Sequence, residues 1–186
     1  MVVFDANFLA FLLQEDHPPI EHPRTKEKMG DMKRRIQHLL VGLQETKTKI
    51  LIPTPALTEI LTIFADKTGE IIRELEQSYG FEIVPFDTKS AIEAGMFFYS
   101  ARKQGDKRGG SQRAWQRVKF DRQIVSIAKA HGATGVYSTD GEVLEMARQL
   151  NMEGIDIWDL RDPPPEQEDL NLEPRDKEED GATDKS

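Results

Sequence analysis

Apolar residues in this chain fall into short continuous runs, separated by longer stretches with helical spacing. Val2-Val3-Phe4, Ile50-Leu51-Ile52 and the runs over 81–86, 134–137 and 155–158 read as five strands. Continuous apolar runs of this length suit strands covered on both faces. Between them, Ile36, Leu39, Leu40 and Leu43 form one stripe of a helix over 32–43. Leu57, Ile60, Leu61 and Phe64 form another, in a helix for which Thr54-Pro55 offers an N-cap and a first-position proline. Further helices are expected over 7–13, 70–79, 90–103, 122–131 and 142–150. Asp87 or Thr88 can cap the helix over 90–103, and Gly132 can close the one over 122–131. Thr139-Asp140-Gly141-Glu142 matches a capping box for the last helix. Prolines at 18, 19 and 23 mark 14–24 as a loop, and 105–111 is a glycine-rich, charged loop. Strands alternating with helices predict an α/β sandwich with a mainly parallel, five-stranded sheet flanked by helices.

In such folds ligands bind beyond the C-terminal ends of the strands, where the strand order reverses. Asp5 follows the first strand and Asp140 the fourth. Two further acids stand at breaks in the pattern: Glu59, off the apolar stripe of its helix, and Asp121, after Val118-Lys119-Phe120. Each has an ordinary reading. Asp5 could serve a turn, Glu59 a solvated face, Asp121 a helix cap or first turn, and Asp140 a helix start. As a set they offer more. Four converging carboxylates repel one another and take up protons unless a cation joins them. Mg2+ or Mn2+ suits such oxygen donors. A bound metal can orient a phosphate, generate hydroxide and stabilise a leaving oxygen, which is what phosphodiester hydrolysis requires.

Length and composition narrow the field. The 186 residues suit one domain with a tail. The absence of cysteine excludes disulfides, zinc–thiolate sites, iron–sulfur clusters and cysteine nucleophiles. Met1 to Asp5 lacks a basic leader region, and no apolar run approaches the ~20 residues of a membrane span, so a cytoplasmic protein without membrane contact is expected. The net charge of −8 is unevenly spread: residues 161–186 carry −6 and residues 1–160 only −2. A domain over 1–162 is therefore expected, followed by an acidic, proline-rich and disordered tail over 163–186.

Positive charge gathers over 102–122, which holds eight bases against Asp106 and Asp121. Within it Arg108, Arg113, Trp115, Arg117, Lys119 and Arg122 are the candidates for holding nucleic acid. The bases would meet phosphates, and Trp115 would stack on a base. Arg113 and Arg117 would share a face if the stretch is helical. Lys26, Lys28, Lys33, Arg34 and Arg35 form a weaker cluster that a surface helix explains equally well. His17 and His22 have no further ligand nearby and read as loop residues.

Phe4-Asp5-Ala6-Asn7, Leu57-Thr58-Glu59-Ile60-Leu61, the run from Phe120-Asp121-Arg122 to Ala128, and Ser138-Thr139-Asp140 resemble, in this order, the signature of PIN-domain nucleases. The resemblance covers roughly 1–160, and the compact length is similar to VapC-type toxins of toxin–antitoxin pairs. It implies a PIN-like three-layer sandwich with Asp5, Glu59, Asp121 and Asp140 as metal-binding catalytic acids, supported by Asn7 and Thr139. It implies Mg2+ or Mn2+ as cofactor, RNA as substrate, an antitoxin partner and a homodimer. The long basic loop and the acidic tail depart from a minimal toxin. Alternatives are a PIN nuclease of RNA processing and a non-catalytic PIN-like or receiver-like module, for which Asp87 after the third strand would be the phosphoacceptor. A dehalogenase-type phosphatase would need aspartates two apart, and Asn7 stands where the second would be.

Overall fold

The computed structural model describes residues 1–14, 19–22, 25–103, 105 and 113–164. Five parallel strands form one sheet in the order β5-β4-β1-β6-β7. They are β1 (Val2–Phe4), β4 (Ile50–Pro53), β5 (Phe81–Val84), β6 (Gly135–Ser138) and β7 (Glu153–Asp156). Among the described residues seven α-helices accompany them: α1 (Ala6–Leu13), α2 (Met32–Glu45), α3 (Thr54–Ile63), α4 (Thr68–Gln77), α5 (Thr88–Lys103), α6 (Trp115–Ala130) and α7 (Gly141–Gln149). Every residue of β1, β4 and β6 is buried. Successive side chains of a strand point to opposite faces, so the sheet centre is covered on both sides and the sandwich has three layers. The edge strands β5 and β7 are only partly covered.

The chain steps outward from β1 to β4 and β5, then returns to pair β6 with β1. The strand order thus reverses at β1, and the C-terminal ends of β1 and β6 lie side by side there. Helix α6 packs against both β4 and β6, and against α3, α5 and α7. Phe4, Phe8 and Tyr137 stack beneath the reversal point, with ring centroids 4.7–5.3 Å apart. Gly154 is required where α7 crosses β7, because a Cβ there would lie 2.6 Å from the Leu144 carbonyl oxygen.

Several expected boundaries move. Helix α6 begins at Trp115, seven residues before the expected start at 122, so Asp121 lies in its second turn and caps nothing. Pro53, not Thr54, stands at the N-cap of α3, and no side chain caps it. Asp140 rather than Thr139 caps α7, its carboxylate accepting the Glu142 N–H. The last strand spans Glu153–Asp156 and gives way to a 3-10 turn over Ile157–Asp159. A small antiparallel hairpin pairs β2 (Ile20–Glu21), inside the expected loop, with β3 (Lys28–Met29) beyond it. In the weaker basic cluster, Arg34 and Arg35 hold the C-terminal chain. Arg34 donates to the Pro164 carbonyl (3.0 Å), and Arg35 donates to that of Leu160 (2.9 Å) and pairs with Asp162. His17 and all of the expected tail beyond Pro164 lie outside the described residues. Among those described, no helix is long and apolar enough to cross a membrane.

Candidate active site

Asp5 leaves the end of β1 and caps α1. Its Oδ1 accepts the Ala6 N–H (2.6 Å) and its Oδ2 accepts the Ser138 hydroxyl (2.6 Å). It is only 4 % exposed. Burial pushes its carboxyl up to about 6; Glu59 and Asp140 add to the rise, while the Ser138 and Ala6 donors restrain it. Ser138 also accepts the Asp140 N–H (3.0 Å), so one buried hydroxyl ties together the ends of β1 and β6. This residue was not among the expected site residues. Its only sequence signal is a small hydroxyl at the end of an apolar strand, next to an acid already suspected.

Asp121 is carried in from α6 and Glu59 from α3, two helices that pack on each other. Asp121 is 7 % exposed, and its Oδ2 is buried without a hydrogen-bond partner. Burial, then Asp140 and Asp5, pushes its carboxyl up to about 7 against the pull of Arg117 and Arg113. Glu59 stands at the exposed mouth, and its pKa is raised by partial burial and Asp140, with Arg117 opposing. Asp140 differs from the others. Burial works against its ionised form, but the Arg113 guanidinium, the Glu142 N–H and Arg117 outweigh it and hold the carboxyl below the usual range. Its Oδ2 pairs with Arg113 and with Arg117 (3.4 Å). Arg113 also reaches Glu142 (3.3 Å) and approaches the Asp121 Oδ2 (3.9 Å).

Asp5, Asn7, Glu59, Asp121 and Asp140 line one cleft of about 340 Å3 together with Arg117 and Phe120. The structure therefore brings all four expected acids and Asn7 together. It leaves out Thr139, which faces a neighbouring cleft on the far side of the turn. Phe120, an exposed aromatic on the rim, was not expected there.

The basic candidates divide. Arg117 lines the cleft, and Arg113 reaches its acids from just before α6 rather than from a shared helix face. Arg122 is no surface contact: it is 2 % exposed, its guanidinium lying 5.0–5.7 Å from the ring centres of Phe97, Phe98 and Trp115. A guanidinium sandwiched by aromatic rings exchanges hydration for cation–π contact, and it fixes α6 to α5. Trp115 is partly buried, contacting the Arg122 guanidinium and meeting Phe98 edge-on (5.7 Å). Lys119 sits over the Trp115 ring at 5.8 Å. Arg108 lies outside the described residues.

Among the described residues no three acids are drawn close enough to form a ready-made metal cage. The donor chemistry nevertheless suits a hard divalent cation. It is all oxygen, it includes a buried carboxylate oxygen lacking a donor, and its members raise one another's pKa. In the arrangement observed, guanidinium groups supply the compensating positive charge at Asp140.

Fold and cleft together define a three-layer α/β domain with an acidic cleft at the C-terminal edge of its parallel sheet. No family model and no curated protein matches the sequence. Among solved structures the chain is similar to a chain of VapBC2 from Rickettsia felis bound to a DNA fragment from its promoter. That match has a TM-score of 0.55 and 16 % identity over 83 % of this chain and 97 % of the other. It is also similar to a chain of DNA-bound VapBC from Salmonella typhimurium, with a TM-score of 0.50 and 15 % identity over 84 % and 97 %. At this identity the likeness shows a shared fold.

Proposed function

We propose that this chain is a metal-dependent endoribonuclease, the toxin of a toxin–antitoxin pair. The observation that carries the reading is the convergence of Asp5, Glu59, Asp121 and Asp140 on one cleft where the strand order reverses. The likeness to chains of VapBC complexes supports the toxin assignment and an antitoxin as partner.

Asp5, Asp121 and Asp140 would hold Mg2+ or Mn2+, with Glu59 completing the set at the mouth. Such an ion, when bound, polarises the phosphate and lowers the pKa of a water. The chain's own residues do the rest. Ser138 orients Asp5 by donating to its Oδ2 and positions the Asp140 backbone. Arg117, exposed on the rim, would receive the phosphate backbone, as would Arg113 once released from Asp140.

The receiver-like alternative loses its key residue. Asp87 follows the edge strand β5, and its Oδ1 accepts the Ser90 N–H and hydroxyl, both at 2.8 Å, as a cap for α5. The decisive experiment is cleavage of RNA by purified protein with Mg2+ or Mn2+. Asp5→Asn and Asp121→Asn should each lower the rate by a factor of at least roughly 100, the scale of losing a transition-state contact, while circular dichroism stays native. Cleavage that survives EDTA, or full activity in both variants, defeats the reading.

A further inference from the structure

On the other side of the turn between β6 and α7 lies a second cleft of about 500 Å3 that the acid site does not use. Phe11 of α1, His22 beside the small hairpin, and Asp156 and Trp158 from the end of β7 form its walls. Thr139 and Gly141 line it as well, and the residue between them, Asp140, lines the acid cleft. The two clefts thus share the turn as a common wall.

The chemistry of this second cleft is unlike that of its neighbour. Trp158 meets the His22 ring edge-on at 4.8 Å and stays partly exposed. The Asp156 carboxylate is held in place by its own turn: its Oδ1 accepts the Trp158 N–H (3.4 Å), and its backbone N–H donates to Asp159 (3.0 Å). No lysine or arginine is among the described residues that line the cleft. A phosphate would be repelled there. A flat, uncharged group that carries N–H donors would be welcomed by aromatic faces and a fixed acceptor.

We propose that this cleft receives the nucleobase adjacent to the phosphate held at the acid cleft. Trp158 packs on the base, and Asp156 accepts its exocyclic amino group. Single-stranded RNA is read in this way, by splayed bases that stack on aromatic side chains and are hydrogen-bonded along their edges. A carboxylate accepts from an amino group such as cytosine N4. Uracil has no exocyclic amino group; its single edge donor, N3–H, lies between two carbonyl oxygens that the acid repels. The site therefore selects adenine, cytosine or guanine over uracil. The identity of the ligand rests on the ribonuclease reading, but the test does not need cleavage.

Trp158 is one of two tryptophans, so Trp115→Phe leaves it as sole reporter. Metal-free Trp115→Phe protein is titrated with short oligonucleotides of A, C or U while fluorescence is followed. Oligo(A) and oligo(C) should quench Trp158 at concentrations about tenfold lower than oligo(U), and Asp156→Asn should erase that preference. Absence of quenching, or a preference unchanged by Asp156→Asn, overturns the proposal. If Trp115→Phe does not fold, anisotropy of labelled oligonucleotides on the wild type and Asp156→Asn reads the same ratio. Base discrimination in a protein that cuts nothing would keep the pocket and remove the nuclease. Cleavage at all four bases, indifferent to Asp156→Asn, would keep the nuclease and remove the pocket.

Discussion

Asp5 and Asp121 carry pKa values of about 6 and about 7 against an ordinary value of 3.8. Their protonated forms therefore favour folding. That contribution is complete below about pH 4 and is lost as pH rises through 6 and 7. Without metal, these two groups should make the protein melt at a lower temperature at pH 8 than at pH 5, and Asp121→Asn should flatten the fall. Mg2+ should raise the melting temperature more at pH 8, where both carboxylates are free to bind it. Scanning calorimetry in EDTA and in Mg2+ checks both statements. A wild-type and Asp121→Asn pair with parallel pH profiles would contradict them. At this scale the sequence was informative about acids and poor about their neighbours. Asp5 and Asp140 announced themselves by standing at strand ends, whereas Ser138 and Phe120 acquire meaning only from what lies across the cleft.

Elements differed in legibility for physical reasons. Strands β1, β4 and β6 were readable because both their faces are buried and no polar residue interrupts them until the end. Helix α6 was read seven residues too short because its first turns alternate bases with apolar residues. One of those bases, Arg122, turns out to be core, a placement no hydropathy pattern reports. Strand β7 lies two residues before the expected run, because the missing side chain of Gly154, which the apolar pattern does not register, lets α7 pack on it. Gly154→Ala should cost about 1–3 kcal/mol, the range for an overpacked core, since the obstacle is Leu144 backbone rather than a movable side chain. Urea denaturation measures it, and a variant as stable as the wild type would show that α7 can shift outward. The hairpin of β2 and β3 was invisible because two residues per strand carry no periodicity.

For the molecule as a whole, the architecture and the position of the cleft followed from alternating elements and strand-end acids. The assembly of the charges did not, because it depends on which arginine reaches which carboxylate. Arg113 and Arg117 share the Asp140 Oδ2 that a cation would need. A cation and these guanidiniums compete for one oxygen, and a nucleic-acid phosphate would compete for the same guanidiniums. Each ligand then removes the other's rival, so metal and phosphodiester should bind with positive cooperativity, equal in both directions. Calorimetric titration of Mn2+ should give a tighter apparent Kd in the presence of an oligonucleotide that the protein cannot cut. Arg113→Gln should tighten Mn2+ binding by itself and weaken that coupling. Additive binding of the two ligands would show that the arginines do not switch partners. Such reciprocity would keep the protein poorly charged with metal until RNA arrives, restraining stray hydrolysis before any partner protein takes part.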